Sequence, residues 1–334
     1  MCRKGYAMSL SNVTPTAEAL TTTAVKEPGS IKGKSRRQET LAFWAFIAPL
    51  AIGLIVFVYA SIIWGFILSL FNARNTVTPT QFIGIQNYVQ VLSDPAFIQS
   101  LITIIIFTIF IVPTTFAISL GLALLVNSVK VARGFFRSVF FIPTACSYVI
   151  ASLIWKMEIF NGLPYGLANL VRGMFGLASI AWVTNQNPPY YWLVLVTVRL
   201  WLQVGFYMIL FIAGLQDIPN ELYEAASVDG TNKGWKTFHY ITFPLLRATS
   251  VSVLLLLLIA GFQAFDEFYN ILSSGVGSSG NAILARPPLV YLYQIAIGDQ
   301  NYGLGSAGAF VLTAIIVVFT LLQNRLFGGF SKES

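Results

Sequence analysis

Six stretches of the chain carry few charges over a length that would span a bilayer, and their apolar residues do not alternate with polar ones. They run approximately from Leu41 to Phe71, Ile98 to Val126, Phe135 to Phe160, Tyr191 to Leu215, Ser250 to Leu272 and Leu304 to Phe327. A bilayer core about 30 Å thick needs about 20 apolar residues per helix, and several of these windows exceed that, which permits tilt. Strands of a membrane barrel would be shorter and would alternate, whereas Ile104 to Phe107 and Leu254 to Leu258 are unbroken apolar runs. The pattern predicts an all-α protein, a polytopic membrane bundle of six transmembrane helices.

The polar intervals divide the rest. Residues 1–38 are rich in Thr, Ser, Lys, Pro and Gly without an apolar period, and read as a flexible basic tail ahead of a membrane domain over 39–330. Within the tail, Gly29 to Ser35 looks superficially like a phosphate-binding loop, but its spacing is one residue short and no strand precedes it. The segments Asn72 to Phe97, Asn161 to Tyr190 and Ser273 to Gly303 have loop-like Gly and Pro, and the interval 216–249 is a polar loop with helix signals. The aromatics Trp182, Tyr190, Tyr191 and Trp192 stand near a predicted boundary, where rings commonly anchor at the interface.

Composition agrees with the windows: 56% of residues are hydrophobic and 10% charged, with a mean hydropathy of +0.73. The formal charge of +7 orients the bundle. With the amino terminus inside, all of the 20 Lys and Arg residues except Arg74, Lys156, Arg172, Arg199 and Arg286 fall on the cytoplasmic side, as the excess of basic residues in cytoplasmic loops requires. Both termini are predicted inside. A nucleic-acid binder would gather its charge on one accessible face, so none is expected as a partner. Cys2 and Cys146 sit at different predicted depths and do not pair, and His239 has no partner at ligand spacing.

The loop over 216–249 carries the most specific signal. Pro219 and Asn220 start a short helix, Glu221 and Glu224 suit its positive end, and Gly230 stops it after about two turns. Trp235, Phe238 and Ile241 then form an apolar stripe to pack on the bundle, ended by Pro244. The first helix, with the small Ala225 and Ala226 and the charged Glu224 and Asp229, is left to meet a partner, while Gly230 takes turn geometry that a Cβ resists. The order Glu224-Ala225-Ala226, three residues, Gly230, then Ile241-Thr242-Phe243-Pro244 resembles the EAA signature of binding-protein-dependent ABC importer permeases. Its flanks are similar to those of the carbohydrate-uptake subfamily, which includes maltose and glycerol-phosphate permeases. Two departures stand out. Ten residues separate Gly230 from Ile241 where nine are usual, lengthening the turn near Lys233-Gly234, and Phe243 replaces the common Leu.

Polar side chains within spans are candidates for the path of a solute, because an Arg at mid-helix costs about 2.5–3.5 kcal/mol on insertion scales. Arg199 and Gln203 stand four apart on one helical face; Gln263, Asp266 and Glu267 lie towards the outer end of the fifth span. The resemblance implies that Arg199, Leu202 and Gln203 line the path, with Thr144 and Tyr148 from the third span, and that Ala260 and Ala264 fall near contact positions. Arg199 has two readings: contact with the solute, or an internal ion pair with Asp266 or Glu267.

The resemblance implies a type I ABC importer permease in a bacterial-type cytoplasmic membrane, carrying a sugar or related polar solute. It would work beside a second homologous permease, two ATPase subunits that bind ATP and Mg²⁺, and an extracytoplasmic solute-binding protein. No cofactor or metal is expected in this chain, and no catalysis. A membrane-embedded lipid or glycosyl transferase, built on Asp266 and Glu267, and a stand-alone secondary transporter are the alternatives.

Overall fold

The computed structural model describes residues 34–129, 131–185, 187–228, 230, 234–273 and 285–328. The basic tail before residue 34 and Asp229 lie outside the described residues, as does the turn at 231–233. In chain order the elements are α1 (Gln38–Ser69), a hairpin of β1 (Phe71–Asn72) and β2 (Gln81–Phe82), α2 (Gln86–Ser93) and α3 (Pro95–Ser128). There follow α4 (Arg133–Ala145), α5 (Tyr148–Ile159), α6 (Leu167–Met174), α7 (Tyr191–Gln216), α8 (Asn220–Val228) and α9 (235–245). The last are α10 (Arg247–Phe262), α11 (266–273), α12 (Pro288–Gly298) and α13 (Tyr302–Leu326).

Contacts divide the chain after Ala60. The described part of the first unit is helical from Lys34, so the helix begins inside the predicted tail. Its large apolar side chains, among them Leu41, Trp44, Phe46 and Phe57, are exposed, the pattern of a helix solvated by an apolar medium.

The second unit holds the bundle. Among the described residues, five helices pass for membrane spans, and α4 with α5 makes a sixth that bends by 92° at its break. The third window, Phe135 to Phe160, is therefore a broken span rather than one continuous helix. Pro143 opens a tight 3₁₀ turn over Ile142–Ala145, and Cys146 and Ser147 are extended (ψ 142° and 134°), so no helical ladder crosses from α4 to α5. Cys146 at the bend is a free, exposed thiol.

The core is centred on α7, which packs on α3, α4 and α10. Phe107, Leu195, Val198, Leu202, Phe268 and Ile271 form one half of it, and Phe211, Met208, Leu246 and Leu257 the other. Gly205 lets α4 approach α7 backbone to backbone: a Cβ there would stand 1.8 Å from the Phe140 carbonyl oxygen. Small residues at such crossings are how membrane helices gain close packing without a hydrophobic driving force.

The described parts of the segments Asn72 to Phe97, Asn161 to Tyr190 and Ser273 to Gly303 are built rather than loose. Asn87 donates to the carbonyls of Ser69 (2.9 Å) and Phe71 (3.0 Å), and the Asn75 and Tyr302 amides bond to Gln300 and Ala73, fixing the hairpin to the start of α13. Asp94 caps α3 through the Ala96 amide and also accepts from the Tyr291 hydroxyl. Burial, then that hydrogen bond and the carboxylate's charge, hold the Tyr291 hydroxyl well above the usual phenol range. Asn169 is a second hub, bonded to the carbonyls of Asn161, Leu163 and Ile180 and accepting from Trp182 Nε1 at 3.0 Å. Trp182 and Tyr191 are thus core side chains, not interface anchors, since both are buried.

Candidate functional site

The interval 216–249 folds as the expected helix, turn and second helix. α8 begins at Asn220 after Pro219 and carries Glu221 in its first turn. Gly230, at φ +78°, adopts the left-handed conformation that a glycine accepts without cost, and its amide bonds to the Ser227 carbonyl. Glu224 and Ala225 are exposed, but Ala226 is only 9% exposed and faces inward with Tyr223. This corrects the expectation that both alanines meet a partner: adjacent residues on a helix point about 100° apart, so only one of them faces out.

α9 departs further from its expected stripe. Trp235 is exposed and stacks on His239, whereas Phe238 packs against the core as expected, and the buried side chains of α9 are Thr237 and Thr242. The cause is a π-helical segment over Phe238–Thr242, in which the Phe243 amide bonds to the Phe238 carbonyl five residues back. A π turn holds more residues than an α turn, so it shifts the inward face and offers a place for the extra residue between Gly230 and Ile241. Pro244 does not end α9; helix continues to Leu245. The Tyr223 hydroxyl lies 3.2 Å from Thr242 Oγ1, joining α8 to α9. A cleft of about 950 Å³ lies between α9 and the C-terminal ends of α3 and α7, with Phe116, Leu120, Tyr223 and Trp235 on its walls.

In the bundle, the fifth span is broken as well as the third. α10 stops at Phe262, Ala264 and Phe265 are non-helical, and α11 restarts at Asp266. The acidic pair Asp266-Glu267 just ahead of an apolar run was a legible helix start. Arg199 on α7 is 5% exposed and points into this break. Its Nη1 donates to Glu267 Oε1 at 2.7 Å and its Nη2 to the Ala260 carbonyl at 2.5 Å. The Arg199 guanidinium carbon lies 5.4 Å from the centre of the Tyr148 ring, so the cation also has an aromatic face beside it. Of the two readings of Arg199, the geometry shows the internal pair, and with Glu267 rather than Asp266.

The other path candidates separate by exposure. Leu202 is 2% exposed within the core and Ala264 is fully buried, so neither side chain faces a path. Thr144 spends its hydroxyl on the Leu202 carbonyl at 3.1 Å, which fastens the bend of the third span to α7. Tyr148, Gln203 and Asp266 are half-buried and Gln263 is exposed. These four are polar candidates that the chain does not fully bury. Lys156, on α5, lies 3.4 Å from the Asn270 carbonyl on α11, a second link between the broken spans that hydropathy did not signal.

No protein-family model matches the chain. Over 291 residues it is 33% identical to the arabinooligosaccharides transport system permease protein AraP of Bacillus subtilis, covering 87% of this chain and 90% of that one. It is 31% identical to the lactose transport system permease protein LacF of Rhizobium radiobacter, covering 84% of this chain and 92% of the relative. A crystal structure of a bacterial ABC transporter for import of the acidic polysaccharide alginate contains a chain of the same fold, with a TM-score of 0.77 at 20% identity over 89% of this chain and 99% of that one. The sequence likeness spans nearly the whole bundle, including both broken spans and the exposed α8. The chain is a multi-pass membrane protein that belongs to the permease subunits of ABC sugar importers.

Proposed function

We propose that this chain forms one half of an oligosaccharide path through the bacterial cytoplasmic membrane, with both termini inside. A second, homologous permease completes the path. Two separate ATPase subunits bind ATP and Mg²⁺, and an extracytoplasmic binding protein delivers the solute to the outer segments. The alginate importer of the same fold has been crystallised with its solute-bound periplasmic protein, which supports the last of these partners.

The observation that carries the reading is the exposed α8. It presents Glu224 and Ala225 outward, ends in a left-handed glycine, and is tied through Tyr223 to α9, which continues into the fifth span. A partner that grips α8, with Asp229 beside Gly230 as a further charge, therefore pulls on a helix leading into the bundle. Tyr148, Gln203, Gln263 and Asp266 supply the hydroxyl, amides and carboxylate that suit a hydroxyl-rich solute. Residues before about 39 serve as a cytoplasmic tail and 216–249 as the coupling loop.

Isolation of the affinity-tagged chain from its native membranes tests the assembly. The expected result is co-isolation of an ATP-hydrolysing subunit and a second permease of similar span pattern. A chain isolated alone, without ATPase activity, overturns the reading.

A further inference from the structure

The two broken halves of the fifth span meet at one side chain. In an unbroken helix the Ala260 carbonyl would accept from the Ala264 amide, but that amide turns back to Gly261 at 3.2 Å. The Ala260 carbonyl accepts from Arg199 Nη2 instead. On the far side of the break Glu267 stands in the first turn of α11, fully buried, and receives Nη1 of the same guanidinium. Arg199 thus satisfies the carbonyl end of α10 with one nitrogen and the acidic first turn of α11 with the other. It is itself fixed on α7, which is unbroken over 26 residues.

The chemistry of the guanidinium is suited to this. Its nitrogens form a rigid planar fork, so the two acceptors are held at one spacing and one angle, which the point charge of a lysine does not impose. Phe265, between the halves, stacks on Tyr269 at 5.2 Å, and Tyr148 lies beside the guanidinium. Gln263 is inside the bridged segment and Asp266 directly precedes Glu267.

We propose that Arg199 is a positioning residue: its forked contacts clip α10 to α11 across the break and so hold Gln263 and Asp266 in place on the solute path. The assignment of those two residues to the path rests on the proposed function; the clip itself does not. Arg199 acts through the backbone it fixes, and the solute meets the side chains displayed by that backbone.

Hydrogen exchange of the purified full-length chain in detergent micelles, read by mass spectrometry, tests the clip without any solute. In Arg199→Met, the amides of residues 260–269 are expected to exchange about tenfold faster or more, as local opening of the break becomes easier, while those of α3 and α13 stay at the wild-type rate. Arg199→Lys retains the charge and a partner for Glu267 and guards against a variant that does not fold. It is also expected to show faster exchange confined to 260–269, because a single ammonium does not reproduce the fork. Wild-type exchange over 260–269 in either variant overturns the clip, as does a rise spread evenly over all helices. Failure to co-isolate an ATPase would strike the transport reading and leave this result standing.

Discussion

Replacing Glu267 by Ala is expected to destabilise the protein by about 3–5 kcal/mol, the cost of leaving a buried charge without its partner. Arg199 is 5% exposed, and α7 offers it no second carboxylate: its other bond goes to a backbone carbonyl. The double variant Arg199→Met, Glu267→Leu removes both charges and keeps comparable volume, so it recovers most of the loss. Recovery stops short of the wild type by about 1–3 kcal/mol, because the Ala260 carbonyl remains without a donor. Thermal unfolding of the three proteins in one detergent checks the order. A double variant no better than Glu267→Ala alone would show that packing around these side chains, and not the charge pair, sets the stability.

The second large effect concerns coupling. Gly230→Pro is expected to lower uptake at least about tenfold while the chain still inserts, since coupled motions of this kind fail when a hinge-like connection is re-aimed. Gly230 sits at φ +78° and donates its amide to Ser227, whereas proline holds φ near −65° and has no amide hydrogen. The residue is exposed, and a Cβ placed there meets nothing within 4 Å, so packing is not the reason for the loss. Gly230→Asn is the control, because asparagine visits the left-handed region and uptake is retained. Uptake by cells, normalised to the amount of chain in the membrane, separates the outcomes: equal rates for the proline variant and the wild type would dismiss a coupling role for this turn.

The spans and the loop between α7 and α10 were legible because each rests on a local property. A hydropathy window finds twenty apolar residues wherever they point, and Pro219, Asn220 and Gly230 mark a short helix by their own backbone preferences. The breaks were less legible, because the same window averages across them. Pro143 was the visible sign of the first, and the pair Asp266-Glu267 of the second. What the sequence could not supply is rotation about each helix axis. Ala226 against Ala225, Leu202 against Gln203, and Glu267 against Asp266 are neighbours along the chain whose exposures differ because packing on α7, α9 and α10 decides which one turns inward. The π turn at Phe238–Thr242 shifted that rotation again and left Trp235 outside.

The central claim is that this chain conducts a sugar only when ATPase subunits drive it. Flux of radiolabelled arabinotriose, maltotriose and lactose into liposomes tests this, with the purified chain alone compared with the complex isolated from native membranes and supplied with its binding protein. The account predicts no flux through the chain alone and uptake of at least one sugar by the complex that stops when ATP is withheld. Solute flux through the isolated chain without ATP would contradict it.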